Sequence, residues 1–298
     1  MPFGWEHRMN STLAGGPVVA GVSRSRASRA AVKWAADEAA WRGLPLLLLH
    51  SQDWPAGSSP QTTEDHPAHL WSTHFRAMGE RLLEEARTVA LERRPGLEVT
   101  TRLAEGRAVQ VLREAAEGAS QLVLGARHLT ENDIVFMPGG KGSSLVGHTP
   151  CLLALVPEPD AVTGDGPVVV GVDGSAASQR AVGAAFEEAA RGDTGLLAVE
   201  VRRPREAGLP DFLVEARLDV SQTLAGWTEK YPDTTVEWEV LTGNPVLMLA
   251  TASRRARCLV VGSRGRGGFR GMVLGSTSRG LLHRSHCPLL VVPAATTR

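Results

Sequence analysis

Short, unbroken apolar runs alternate with longer amphipathic stretches along almost the whole chain. Val18–Val22, Leu46–His50, Glu98–Leu103, Gln121–Gly125 and Leu152–Val156 read as strands. Between them, Ala31, Val32, Ala35, Ala39 and Ala40 give one small-residue face to a helix over Ser28–Arg42. Phe75, Met78, Leu82, Ala86 and Val89 do the same for Leu70–Arg93, and Val109–Glu117 is a shorter helix. The polar, Pro- and Ser-rich stretch Ser51–His69 reads as a loop. The order then repeats: strands Val168–Val172, Leu196–Val201, Val236–Leu241, Cys258–Gly262 and Leu289–Val292 alternate with helices Ser178–Arg191, Phe212–Tyr231, Pro245–Arg255 and Ser276–Ser285. Apolar runs without polar alternation suit strands buried on both faces. The β-α alternation predicts an α/β fold: two tandem doubly wound, Rossmann-like domains, each a five-stranded parallel sheet with flanking helices.

The repetition extends to individual residues. VVAGVSRSRAS at the first strand returns as VVVGVDGSAAS, with Gly21 matching Gly171 and Ser28 matching Ser178 at an offset of 150 positions. LVLGAR at Leu122–Arg127 returns as LVVGSR at Leu259–Arg264, and CLLALVP at Cys151–Pro157 as CPLLVVP at Cys287–Pro293. Two homologous domains follow, over residues 17–157 and 168–293, after a loose tail at 1–16 and around a linker at 158–167. The duplication is an internal control: residues needed for packing should occur in both halves, whereas a site can survive in one alone.

Composition narrows the function. The 32 basic and 32 acidic residues cancel, so no global field draws the chain to nucleic acid or an anionic membrane. No apolar run approaches the roughly 18–20 residues that span a bilayer, and residues 1–16 lack the apolar core of a signal peptide. Three cysteines, all in or beside apolar runs, argue for buried thiols and not for a disulfide framework. A soluble cytoplasmic protein is expected.

Chemistry concentrates in GSRGRGGFRGMVLGSTS, Gly262–Ser278, which holds six glycines in seventeen residues between a strand and a helix. In open α/β sheets, ligands sit beyond the carboxyl ends of the strands. Missing side chains there let backbone N–H groups approach an anion, and hydroxyls and the helix dipole add to the attraction. Arg264, Arg266 and Arg270 supply positive charge. A phosphate cradle is one reading; a surface loop shaped by glycines, with Ser276 as a helix cap, is the other. Neither G-x-x-x-x-G-K-[ST] nor G-x-G-x-x-G is present in this loop.

Gly262, Gly265 and the pair Gly275–Ser276 nevertheless follow the spacing G-2x-G-9x-G-[ST], and with VGVDGS at Val170–Ser175 and the closing CPLLVVP they resemble the universal stress protein family in its tandem form. The resemblance covers about Pro17 to Pro293. It implies ATP as the ligand, with Mg2+ as a candidate companion, bound by Gly171, Asp173, Val201, Val261, Gly262, Arg264, Gly265, Gly275, Ser276 and Thr277. In that scheme Asp173 is the strand-end acid facing the nucleotide, Val201 the adenine neighbour, and the glycine loop the clamp on phosphates and ribose. From its sequence alone, Asp173 also fits an Asx turn into the helix, and Val201 a core position.

The first half departs from this pattern. Ser23 and Arg24 replace the Asp-Gly pair, His128 takes the place of the second glycine, and Glu131 and Asp133 stand in the loop LTENDIVFMP. A domain that binds ATP poorly or not at all is expected there, with Gly139, Gly140, Lys141 and Gly142 an alternative anion site. His66, His69, His74, His128 and His148 lack metal-ligand spacing, and His283 and His286 suit a helix C-terminus. No G-x-S-x-G elbow, paired-carboxylate pattern or S-G-G-x-D-S loop points to hydrolysis or adenylation. The expected function is therefore a nucleotide-responsive regulatory module with little or no catalysis. The alternative is a ligand-independent scaffold that self-associates through its last strands, within the chain or as a homodimer.

Overall fold

The computed structural model describes residues 15–52, 67–126, 149–158, 166–202, 212–265 and 274–294. Contacts divide the described residues into two compact units, the first running to Gly125 and including Thr149–Cys151, the second holding Ala126 and Leu152 onward.

In the first unit, β1 (Val18–Gly21) pairs in parallel with β2 (Leu46–Gln52) and β4 (Gln121–Gly125), and β2 pairs in parallel with β3 (Val99–Glu105). Helices α1 (Arg26–Arg42), α2 (Pro67–Arg93) and α3 (Ala108–Glu117) make the crossovers. Val18, Val19, Leu46, Leu48, Leu122 and Val123 are fully buried, as unbroken apolar runs require when helices cover the sheet.

The second unit runs β5-β10-β9-β6-β7-β8. Its strands are β5 (Leu152–Val156), β6 (Val168–Val172), β7 (Leu196–Arg202), β8 (Val236–Thr242), β9 (Cys258–Gly262) and β10 (Leu289–Val292). Helices α4 (Ala176–Arg191), α5 (Phe212–Lys230), α6 (Pro245–Ala252) and α7 (Ser276–Leu281) connect them. One pairing departs from the all-parallel expectation: Leu289, Leu290 and Val291 of β10 face Leu155, Ala154 and Leu153 of β5 in antiparallel register. Every residue of both strands is buried. An apolar run fixes burial, not the direction of its neighbour, so periodicity could not have specified this pair.

Helix boundaries moved for local reasons. The helices expected from Ser28 and Ser178 start two residues earlier, because Ser25 and Ser175 are the true N-caps and accept from the amides of Ser28 and Ser178. α2 begins at Pro67, inside the stretch expected to be loop, with proline in the first turn where its missing N–H costs nothing. α6 stops at Ala252 and tightens into a 3₁₀ turn over Ser253–Arg255. α7 stops at Leu281, short of the expected Ser285, ahead of Pro288, which disfavours helix in the residue before it. No helix among the described residues is long and apolar enough to cross a membrane.

Phe186 is fully buried and stacks on Trp227 and Tyr231 at centroid distances of 6.2 and 5.8 Å, joining α4 to α5. Gly183 makes room for the Trp227 ring, which occupies the space a Cβ would take. Phe186→Ala should destabilise the second unit by roughly 3–5 kcal/mol, read as a lower urea midpoint with an unchanged slope.

Cys151, Cys258 and Cys287 are free and buried. Desolvation pushes the thiols of Cys151 and Cys287 up to about 12. A raised folded value favours the neutral thiol, so this contribution to stability is intact at neutral pH. It declines once the unfolded thiols ionise, above about pH 8.5, and is gone near 12. Melting temperature should fall across that alkaline window, and a Cys151→Ala, Cys287→Ala double variant should flatten that part of the fall.

Candidate nucleotide site

The carboxyl ends of β7, β6, β9 and β10 lie side by side in the second unit. Val172 pairs with Glu200, which sets Val201 beside Asp173, and Val292 pairs with Gly262. Asp173 follows β6 directly, and its Oδ1 accepts from the amide of Ser175 at 3.0 Å. Gly174 turns there with φ 72°, a left-handed conformation that glycine adopts without strain. The Asx-turn reading of Asp173 is therefore realised. The other carboxylate oxygen, Oδ2, sits where a Cβ on Gly265 would have to go. One oxygen thus shapes the turn, and the other meets the glycine loop.

The two ends of that loop are drawn together at its base. Ser263 donates its amide to the carbonyl of Val292 and accepts at its own carbonyl from the amide of Gly275, both at 2.8 Å. The buried Ser278 hydroxyl donates to the Gly262 carbonyl at 2.6 Å. A Cβ on Gly262 would stand 2.9 Å from the backbone and Cβ of Ala177, so β9 ends in direct contact with α4. Gly275 precedes α7 without a side-chain cap. The amides of Ser276 and Thr277, in the first helical turn, have no carbonyl behind them within the helix.

Other expected residues separate by role. Gly171 lies within β6, where a Cβ would come 3.1 Å from Leu249 of α6, so its bareness serves packing. Val261 is buried and could meet a ligand only through its backbone. Val201 is half-buried and flanked by Glu200 and Arg202, whose Oε1 and Nη2 pair at 2.6 Å. Arg264 is exposed at the loop entrance. Arg266 and Arg270 lie outside the described residues, as do His128, Glu131, Asp133 and the Gly139–Gly142 segment. Among the described residues, no group of three His, Cys, Asp or Glu side chains could hold a metal ion.

Among the described residues, the first unit repeats the scaffold of this turn. Gly125 presses on Ala27 and Ser28 of α1 as Gly262 does on Ala177. The Ser28 hydroxyl accepts from the amide of Ser23 at 2.8 Å, just as that of Ser178 accepts from Asp173 at 3.2 Å. At the turn, Ser23 Oγ accepts from the amide of Ser25 at 3.4 Å, the counterpart of the Asp173–Ser175 bond. One oxygen is enough to make the turn. The recurrence of Ser178 as Ser28 is the sequence signal for this shared structural role.

The chain matches the profile of the Universal stress protein family twice, over residues 16–157 and 166–293. It belongs to the universal stress protein family. Universal stress protein Rv2005c of Mycobacterium tuberculosis is 35% identical over 293 residues, spanning 92% of this chain and 96% of the relative. Universal stress protein Rv2623 of the same organism is 29% identical over 298 residues, spanning 97% and 99%. Among solved structures, a universal stress protein from Archaeoglobus fulgidus superposes with a TM-score of 0.67 at 16% identity, covering 95% of this chain and 98% of that one. That likeness shows the fold: tandem α/β domains of the family type on parallel-dominated sheets.

The divided role of Asp173 makes two substitutions separable. Asp173→Asn keeps an acceptor for Ser175 and should leave the melting temperature nearly unchanged. Asp173→Ala removes the turn bond as well and should destabilise by about 1 kcal/mol, the scale of a lost cap. Equal destabilisation by both, in paired thermal melts, would show that the charge itself holds the turn.

Proposed function

We propose that this universal stress protein binds ATP in its second domain and acts as a nucleotide-responsive regulatory module, without a dedicated catalytic apparatus. The observation that carries the reading is the apposition of Asp173 Oδ2 and Gly265, at the mouth of a loop pinched shut between Ser263 and Gly275. A turn alone does not need the second oxygen, as Ser23 in the first unit demonstrates. In this reading Gly262, Gly265 and Gly275 with Ser276 and Thr277 offer backbone and hydroxyl donors to the phosphates. Val201 borders the adenine through its backbone. Asp173 faces the ribose and phosphates, where it would share a Mg2+ ion with phosphate oxygens, the usual way this ion is held by few carboxylates.

A second reading, a scaffold whose last strands pair without any ligand, draws support from the buried antiparallel contact of β5 with β10. Calorimetric titration separates the two. The nucleotide reading expects one ATP per chain, lost in Gly265→Asp, whose carboxylate would crowd Asp173 and repel phosphate. Absence of heat and of thermal shift favours the scaffold, and two equal sites per chain overturn the assignment to one domain. Turnover well above about 1 s⁻¹, the low end for ordinary enzymes, would contradict a non-catalytic role.

A further inference from the structure

We propose that Arg180 is a further ligand of this site, the cation that meets the terminal phosphoryl group of a bound nucleoside triphosphate. The inference rests on the nucleotide reading above and extends it to how the site counts phosphates.

The order of strand ends lays out the ligand's path. Val201 ends β7, Asp173 follows β6, the glycine loop leaves β9, and Pro293 follows β10, in that lateral order across the sheet. Neighbouring strands are about 4.8 Å apart, so three spacings make roughly 14 Å. A nucleotide with its base at Val201 and its phosphates on the glycine loop therefore points its free end toward β10. Arg180 is already there. Its Nε donates to the carbonyl of Pro293 at 3.3 Å. Pro293 adjoins Val292, whose carbonyl takes the amide of Ser263 at the root of the glycine loop. Arg180 also stands one helical turn beyond Ala177, the residue against which Gly262 is pressed.

Its surroundings do not explain it as a packing residue. Arg180 is half-buried, and among the described residues no carboxylate lies in ion-pair range of it. Burial lowers its guanidinium below the usual arginine value, the signature of a cation held partly out of water without an anion. The other α4 arginine, Arg191, is paired with Glu187 and Glu188. The equivalent position of the first half is Ala30, on a helix with the same serine cap and the same glycine contact. The scaffold thus forms without an arginine here, and the arginine accompanies the half that retains Asp173 and Gly265. With Nε turned to Pro293, the two terminal nitrogens keep donors for a phosphoryl oxygen, for which the planar fork is suited.

The test is a titration of AMP, ADP and ATP against the full-length protein, Arg180→Gln and Arg180→Lys. Glutamine can still donate to Pro293 but carries no charge; lysine keeps the charge and loses the fork. Wild type should bind ATP more tightly than AMP. Arg180→Gln should lose about tenfold or more in ATP affinity, the scale of a charged hydrogen bond, with AMP affinity within about twofold. Arg180→Lys should recover part of the loss. Equal effects of Arg180→Gln on AMP and ATP, or none, would overturn the proposal and leave Arg180 as a tie to Pro293. Wild type with equal affinity for AMP and ATP would also overturn it while leaving nucleotide binding intact. Wild type that takes none of the three overturns both readings. If Arg180→Gln melts below the assay temperature, the AMP-to-ATP ratio of Arg180→Lys decides: an unchanged ratio overturns the proposal, and a ratio moved toward unity supports it.

Discussion

The candidate site depends on two backbones touching where a side chain would ordinarily stand. Gly262 ends β9 with no room for a Cβ against Ala177, and this contact fixes where β9 releases the chain into the glycine loop. The same helix start carries Ser178, whose hydroxyl holds the amide of Asp173. One close approach thus sets the position of both the loop and the strand-end acid. The bond from Ser278 to the Gly262 carbonyl then brings the next helix back to the same point, so the three segments share one hub. Any residue larger than glycine at 262 would displace all three together, because interiors are packed too densely to absorb a methyl group without movement.

The first unit shows what this hub requires when the chemistry is relaxed. Gly125, Ser25 and Ser28 keep their counterparts' contacts, and Ser23 supplies the single acceptor the turn needs. Arg24 replaces Gly174 without taking up a left-handed conformation, since Asp193 is the one non-glycine residue with positive φ among those described. What the first half discards is therefore separable from folding: a second carboxylate oxygen, a left-handed glycine and the arginine on the following helix. Residues shared by both halves serve the scaffold, and those confined to the second half need another explanation.

Much of this was legible in the sequence because each half states it independently. The apolar runs placed the strands to within about two residues, and the glycine spacing located the loop that the fold sets beside Asp173. The direction of Leu152–Val156 was not legible, since a fully buried strand has the same pattern whichever way its neighbour runs. The family resemblance puts Gly171 among the ligand residues, whereas its missing side chain faces Leu249. Spacing alone cannot distinguish a glycine that admits a ligand from one that admits a neighbouring helix. Arg180 was invisible for the opposite reason: helix residues between an N-cap and an apolar face read as solvent-exposed, and only the fold brings this one to Pro293.

The charges at the carboxyl edge of the second sheet also form a connected problem. A carboxylate at Asp173 facing a polyphosphate is repulsive by itself, and at an effective dielectric near 20 a like pair 4 Å apart costs roughly 4 kcal/mol. In the proposed site, the amides of Gly265, Ser276 and Thr277 would offset part of that through their dipoles. The remainder calls for cations along the same edge, and the exposed Arg264 and the half-buried Arg180 both stand on the β9–β10 side of the acid. Under the nucleotide reading, an acid in this place would discriminate: it would penalise an anion that arrives without its cation or with the wrong length, and tolerate one whose charge is distributed along the whole edge. At the corresponding turn of the first unit, Ser23 stands in place of the acid. Under the nucleotide reading, the residue that would make the second site selective is the one that would make it repulsive if its neighbours were removed.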